Sequence, residues 1–300
     1  MNAKSPLAEN LASDGATNVA ITVPQAGGAL EIGAGFVAQT FRERNFAGAM
    51  DPLVMVDHYR MTEPTFGPHP HAGLSAVSVL FEDSDGAFHN RDSLGNDFDL
   101  LPGDLYWLKA GSGAVHDEAP RTGASIHGLQ VFVNLPARMK RDAPESRHVR
   151  AQDIPVLETD DYRVRVVLGN CNGVSGRDSP ALPMTILDGR IGPGSAFTHH
   201  LQAGENAWIY AIEGEIKLTV AGGEAILQAG ESLAVEAGSA GAVHAIEMTN
   251  IAGSTAHFAL FSATPVGEVF VHKGSFVMCN EAEIAQVEAD YAAGKLGRLE

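Results

Sequence analysis

Two short pairs of metal-ligating residue types constrain this chain more than anything else in it. The stretch GPHPHAGLSAVSV carries His69 and His71; some 45 residues on, PGDLYWLKAGSGAVHDE carries His116 and Glu118. In an extended strand, side chains at i and i+2 point to one face, so each pair can aim two donor atoms at one point. Three imidazoles and a carboxylate converging there would form a metal site. The donor mix suits a first-row divalent ion such as iron, manganese or nickel. The bland alternatives are an exposed turn at His69–His71, where Pro70 cannot donate to a ladder, and a surface carboxylate at Glu118. Parity separates Glu118 from its neighbour: it shares the face of His116, and Asp117 does not.

The rest of the chain reads as all-β. VAITV, GFVAQTF, PLVMVDHY, SAVSVLF, GDLYWL and GLQVFVNL are short β-branched or aromatic runs, and the 33 glycines are spread among the turns between such runs. Short strands at this spacing imply a sandwich or barrel. Ser93–Asp97 reads as a hairpin tip. Residues 137–161 are charged, proline-containing and without alternation, as expected of a connecting segment. Strand runs resume over 162–279. Then NEAEIAQVEADYAAGKLG predicts one amphipathic helix in 280–300, with Asn280 as N-cap, Glu283 completing a capping box, an apolar stripe of Ile284, Val287 and Tyr291, and Gly294 as the stop. Residues 1–18 are polar and read as a mobile tail.

An internal repeat divides the strands into two domains, 19–136 and 162–279. AGSGAVH (110–116) recurs as AGSAGAVH (237–244), Gly103-Asp104 matches Gly230-Glu231, and His71 matches His200 at nearly the same offset. At that offset His69 falls on Thr198 and Glu118 on Ile246. The expectation is a metal site in the first domain and none, or a degraded one around His200, Glu205 and His244, in the second. His199 and His200 are adjacent, so only one can point inward.

The motifs DPLVMVDHY, GPHPHAG, RDSLGN, PGDLYWLKAGSGAVHDE, HGLQVFVNLP and GSFVM…GKLGR, in that order, resemble the pirin family, over roughly residues 36–299. The resemblance implies a bicupin: two antiparallel cupin (jelly-roll) β-barrels face to face with a C-terminal helix. It implies one divalent metal in the first barrel, Fe(II) foremost and Mn, Ni, Cu, Co or Zn as alternatives, held by His69, His71, His116 and Glu118. Some members open quercetin with dioxygen; others are redox-sensing nuclear or transcriptional partners. This chain departs from the family where R-G-F-E is replaced by Ala72-Gly73-Leu74-Ser75, and where H-R-D-S reads Asn90-Arg91-Asp92-Ser93 with His89 one place earlier.

Two function classes follow. One is a metal-dependent dioxygenase of quercetin 2,3-dioxygenase type, taking O2 and a small aromatic substrate such as a flavonol, with Glu118 a ligand at rest and a general base in turnover. The other is a non-enzymatic, iron-dependent redox-sensing module that binds a protein partner. The formal charge of −17 argues against nucleic acid and anionic membrane surfaces. No apolar run approaches the ~18 residues of a membrane span, and the N-terminus lacks an apolar signal region, so the cytoplasm is the expected compartment. His58, Trp107 and His127 are expected in core packing rather than at the metal, and Cys171 and Cys279 as apolar fillers.

Overall fold

The computed structural model describes residues 19–238 and 242–299; the tail expected at 1–18 and part of the repeated 237–244 motif lie outside them. Each half is a pair of antiparallel sheets. In the first, a seven-stranded sheet runs in the order Glu145–Val149, Leu105–Lys109, Leu74–Leu80, Ile126–Asn134, Leu53–Met61, Phe36–Arg42, Gly28–Ile32. Facing it is a four-stranded sheet ordered His69–His71, Ala114–Pro120, Phe88–Asp92, Asp97–Leu100. The second half repeats the plan, with a large sheet centred on Asn206–Glu213 and Ala256–Ala263 and a small one of Ala196–Leu201, His244–Asn250, Glu215–Val220 and Gly223–Gln228. The hairpin expected at Ser93–Asp97 joins the paired strands Phe88–Asp92 and Asp97–Leu100.

The two large sheets pack against each other. Phe41, Val56, Val77, Trp107 and Val131 of the first share one buried cluster with Trp208, Tyr210, Ile186 and Phe261 of the second. Strands in this position are covered on both faces. All seven residues of Leu74–Leu80 are buried, so the run reads as continuous apolar sequence rather than alternation. Trp107 sits in this seam, in core packing as expected.

Strand pairing crosses the expected domain bounds at both ends and in the middle. Val19–Ile21 and Gln25–Ala26 pair with Glu231–Ala237, so they extend the second barrel's sheet, not the first. The segment 137–161 is no bare linker. Its Glu145–Val149 pairs with Leu105–Lys109 of the first barrel, and its Val156–Glu158 with Tyr162–Leu168 of the second. Residues 271–299 return to the first barrel: the hairpin Val271–Lys273/Phe276–Met278 and the helix Glu281–Ala292 bury Phe276, Met278, Ile284, Val287 and Leu296 against Ala72 and Val115. Asn280 caps the helix by accepting from the Glu283 amide at 3.0 Å, and the Glu283 carboxylate accepts from Cys279 N, one residue earlier than the expected box. Tyr291 leaves the stripe and is exposed. No helix among the described residues is long and apolar enough to cross a membrane.

Two contacts hold the returning chain. The buried Lys140 ammonium donates to Gly73 O, Asn134 Oδ1 and Val277 O at 2.9, 2.6 and 2.9 Å. Gly73 has φ +72°, and a Cβ there would lie 2.0 Å from Val277 O. Gly73→Ala therefore both strains the backbone and pushes the hairpin off the barrel. It should cost more than about 1 kcal/mol, read as a thermal midpoint several degrees lower.

A polar chain runs from Tyr210 across the seam to Asp83 at the surface. His58 Nδ1 lies 2.6 Å from Tyr210 Oη, His58 Nε2 lies 2.7 Å from His127 Nε2, and His127 Nδ1 lies 2.8 Å from Asp83. Burial first, then the neighbouring His127 and His257, push the His58 pKa down to about 3. Below pH 6.5 the unfolded chain binds a proton at this position that the folded chain refuses, so stability falls as pH drops from 6.5 toward 3. Between pH 7 and 5 the urea midpoint should fall further in the wild type than in His58→Gln, by the equivalent of about 2 kcal/mol.

Candidate metal centre

The small sheet of the first barrel brings the candidate ligands together. His69–His71 and Ala114–Pro120 are adjacent antiparallel strands in which His69 pairs with His116 and His71 with Ala114. Direct cross-strand partners share a face, and so do residues two apart. One register therefore turns His69, His71 and His116 inward together. His116 Nε2 lies 2.9 Å from His71 Nε2 and 3.1 Å from His69 Nε2. His69 Nδ1 donates to Gly67 O at 2.9 Å, which leaves its Nε2 as a free lone pair.

The electrostatics suit a cation. Burial first, and then the neighbouring imidazoles, hold His71 and His116 well below the ordinary histidine range. Burial lowers His69 as well, against its bond to Gly67 O. Neutral imidazoles would thus point three nitrogens at one spot. Two nitrogens bound at right angles, each about 2.1 Å from an ion, stand about 3.0 Å apart, which is the spacing found. The donor set fits a divalent metal.

Glu118 stands beside the histidine group. The group of donor atoms lying within 4.8 Å of one another consists of His69, His71 and His116, without Glu118. Its carboxylate is buried beside the triad, with Oε2 4.0 Å from His116 Nδ1. Ser78 Oγ lies 2.7 and 2.9 Å from its two oxygens and donates to them. Burial pushes its pKa up to about 7, against the lowering effect of Ser78. Asp117, on the opposite face, pairs with Arg91 at 2.7 Å.

The triad opens into a cavity of about 400 Å³, within the usual range for small-molecule sites. Phe36, Tyr59, Phe66, Phe88 and Phe132 wall it, with Met55 and Met61. Glu118, Gln130 and Asp57 are its polar groups besides the histidines, and Gly274 and Ser275 of the returning segment close one side. Sequence reading missed most of this lining. Tyr59, Gln130 and Phe132 sit on strands buried on both faces, where alternation is invisible, and so does Ser78, which reaches the site only through Glu118. The one available signal was polar Ser78 and Gln130 inside otherwise apolar runs. His58 and His127, by contrast, lie on the seam and do not reach the metal centre.

The second barrel does not repeat the constellation. His244 pairs with Leu201, so the residue opposite it is neither Thr198 nor His200. Leu201 and Ile246 fill the interior with Phe197 and Met248. His200 is exposed, with Nδ1 3.2 Å from Asn172 Oδ1, and the Glu205 carboxylate accepts from Gln202 N. His199 is the inward one, 3.5 Å from Cys171 Sγ and 3.3 Å from Ser262 Oγ.

Two double-sheet barrels joined across their large sheets, one holding a three-histidine cluster, define the class as a bicupin. Comparison with known proteins agrees. The Pirin family profile matches residues 34–133, and that of the Pirin C-terminal cupin domain matches 186–297. The chain belongs to the pirin family. A pirin-like protein of Solanum lycopersicum is 31% identical over 256 residues, covering 83% of this chain and 82% of its own. Among solved structures, quercetin 2,3-dioxygenase from Acinetobacter baumannii superposes with a TM-score of 0.79 at 24% identity, over 93% of this chain and 98% of that one. The nickel(II) complex of the bacterial pirin YhhW from Escherichia coli superposes at 0.58 with 16% identity, over 82% and 99%. These likenesses support the fold.

Elemental analysis of the purified protein should find one divalent metal per chain. His71→Ala, which removes a fully buried member of the triad, should drop that content to near zero while the circular dichroism spectrum is retained.

Proposed function

We propose that this protein is a metal-dependent dioxygenase of quercetin 2,3-dioxygenase type, opening a flavonol with O2 at a mononuclear Fe(II) centre. The observation that carries the reading is the three-histidine triad facing an aromatic-walled cavity with a buried carboxylate beside it. The name of the Acinetobacter baumannii structural neighbour supports the same substrate class.

His69, His71 and His116 would hold the metal. When bound, the metal supplies Lewis acidity and the electron-transfer capacity that reaction with dioxygen requires. The chain supplies the rest. Phe36, Phe66, Phe88 and Phe132 present ring faces and edges to a flat aromatic ligand and exclude water from it. Glu118 accepts the proton of the flavonol 3-hydroxyl; a carboxylate with its pKa near neutrality is matched to that task. Ser78 orients the carboxylate through its bond at 2.7 Å.

With Fe(II)-loaded protein and quercetin in aerated buffer, the flavonol absorbance band should disappear with one O2 consumed per quercetin. His69→Ala should abolish uptake, and Glu118→Gln should slow it by about 10²–10⁴-fold. Quercetin left intact by the iron-loaded wild type would sink the reading and favour the protein-binding, redox-sensing alternative.

A further inference from the structure

We propose that the Tyr59 hydroxyl is the hydrogen-bond donor that reads the substrate: it holds the oxo oxygen of an aromatic ligand whose neighbouring carbon carries the acidic hydroxyl. The site thereby selects compounds with hydroxyl and oxo groups on adjacent carbons, of which flavonols are one kind. This rests on the reading of the cavity as a flavonol site.

Three tyrosines are buried among the described residues. Tyr106 Oη donates to Asp92 at 2.5 Å, and Tyr210 Oη donates to Gln39 Oε1 at 2.7 Å. Tyr59 is 3% exposed, and its hydroxyl has no partner in the protein. A buried hydroxyl left unpaired carries an uncompensated desolvation cost, and a phenylalanine would fill the same space without it. The strand shows where an acceptor must come from. Met55, Asp57, Tyr59 and Met61 point into the cavity, while Val56 and His58 face the seam. The residues paired with Tyr59 in the flanking strands are Ala38 and Gly128, which offer no polar side chain. Its ring stacks on Phe36 at 5.7 Å and lies 6.4 Å from Phe88, both in the cavity wall. Only the cavity is left to supply the acceptor.

Glu118 lines the same cavity. Burial first, and then the charge of Glu118, raise the Tyr59 pKa well above the ordinary phenol value, so the hydroxyl stays protonated and donates. One donor and one acceptor thus stand together within an aromatic wall, and a hydroxy-oxo ligand satisfies both. When its hydroxyl loses its proton to Glu118, the O–H electron pair stays on the ligand and spreads through the conjugated ring to the oxo oxygen. The hydrogen bond from Tyr59 then meets a charged oxygen and strengthens. The role of the hydroxyl is the same whether or not the Glu118 carboxylate also binds the ion.

Anaerobic titration of the Fe(II)-loaded protein tests this, with quercetin and with catechin, a flavan-3-ol that keeps the 3-hydroxyl and lacks the oxo group. In Tyr59→Phe the affinity for quercetin should fall about tenfold, and the long-wavelength band of the bound, ionised flavonol should retreat. Catechin should bind within about twofold of its wild-type affinity. Without ligand, the thermal midpoint of Tyr59→Phe should not fall, because the hydroxyl serves no partner in the fold. Unchanged quercetin affinity and band, an equal loss for catechin, or a midpoint several degrees lower would each overturn the role of Tyr59. Wild-type protein that binds quercetin no more tightly than catechin would overturn it as well, and that arm needs no variant. Quercetin that binds as expected in both proteins but survives the admission of air would overturn the dioxygenase reading alone. Quercetin that does not bind at all would overturn both.

Discussion

The burial of the two large sheets against each other is the constraint on which the rest of the molecule depends. It forces a division of labour along every strand that takes part. In Leu53–Met61, Val56 and His58 face the seam while Asp57, Tyr59 and Met61 face the cavity. In Ile126–Asn134, Leu129, Val131 and Val133 serve the seam while Gln130 and Phe132 line the cavity. A slip of one residue would exchange the two sets and fill the cavity with aliphatic side chains. The seam thus fixes the register from behind, and the cavity inherits its lining from the front. Each fully buried Val or Leu on the seam contributes roughly 1.5–3 kcal/mol, enough to make the register costly to change.

The chain ends reinforce this arrangement by crossing. The first strands complete the second barrel, and the last helix and hairpin complete the first. Neither barrel has its full complement of edges from its own repeat. Lys140, donating to three acceptors from three separate segments, ties the middle of the chain to its return. Gly274 and Ser275 belong by sequence to the far end, yet they form part of the wall around the histidines. The candidate site is consequently a property of the whole chain rather than of its first half.

The two barrels share a plan and differ in what they enclose. In the first, the strand pair facing the interior offers imidazoles. In the second, Leu201 and Ile246 take the inward places and pack with Phe197 and Met248. Apolar filling gains burial energy and leaves His199 as the inward imidazole, against Cys171 and Ser262, whereas the first barrel keeps a cavity and three imidazole nitrogens in close contact. Three lone pairs about 3 Å apart would repel in isolation; the arrangement makes physical sense around a cation.

The sequence by itself determined the all-β class, the repeat, the terminal helix and the convergence of His69, His71 and His116, because those signals are local: spacing of two along a strand, turn residues, a cap and a stop. It fixed neither the placement of Glu118 nor the counterpart of His71 in the second half. Glu118 has the right parity to join the triad, and only the approach of Ser78 from the facing sheet shows where its carboxylate goes. The sequence offset set His200 against His71, but strand register, decided by pairing across the sheet, puts Leu201 opposite His244. The ownership of Val19–Ala26, of the strands inside 137–161 and of the final segment was likewise beyond reach. Which sheet edge a strand completes depends on hydrogen bonds and buried area offered by residues distant in sequence, and those exist only once the two barrels have met.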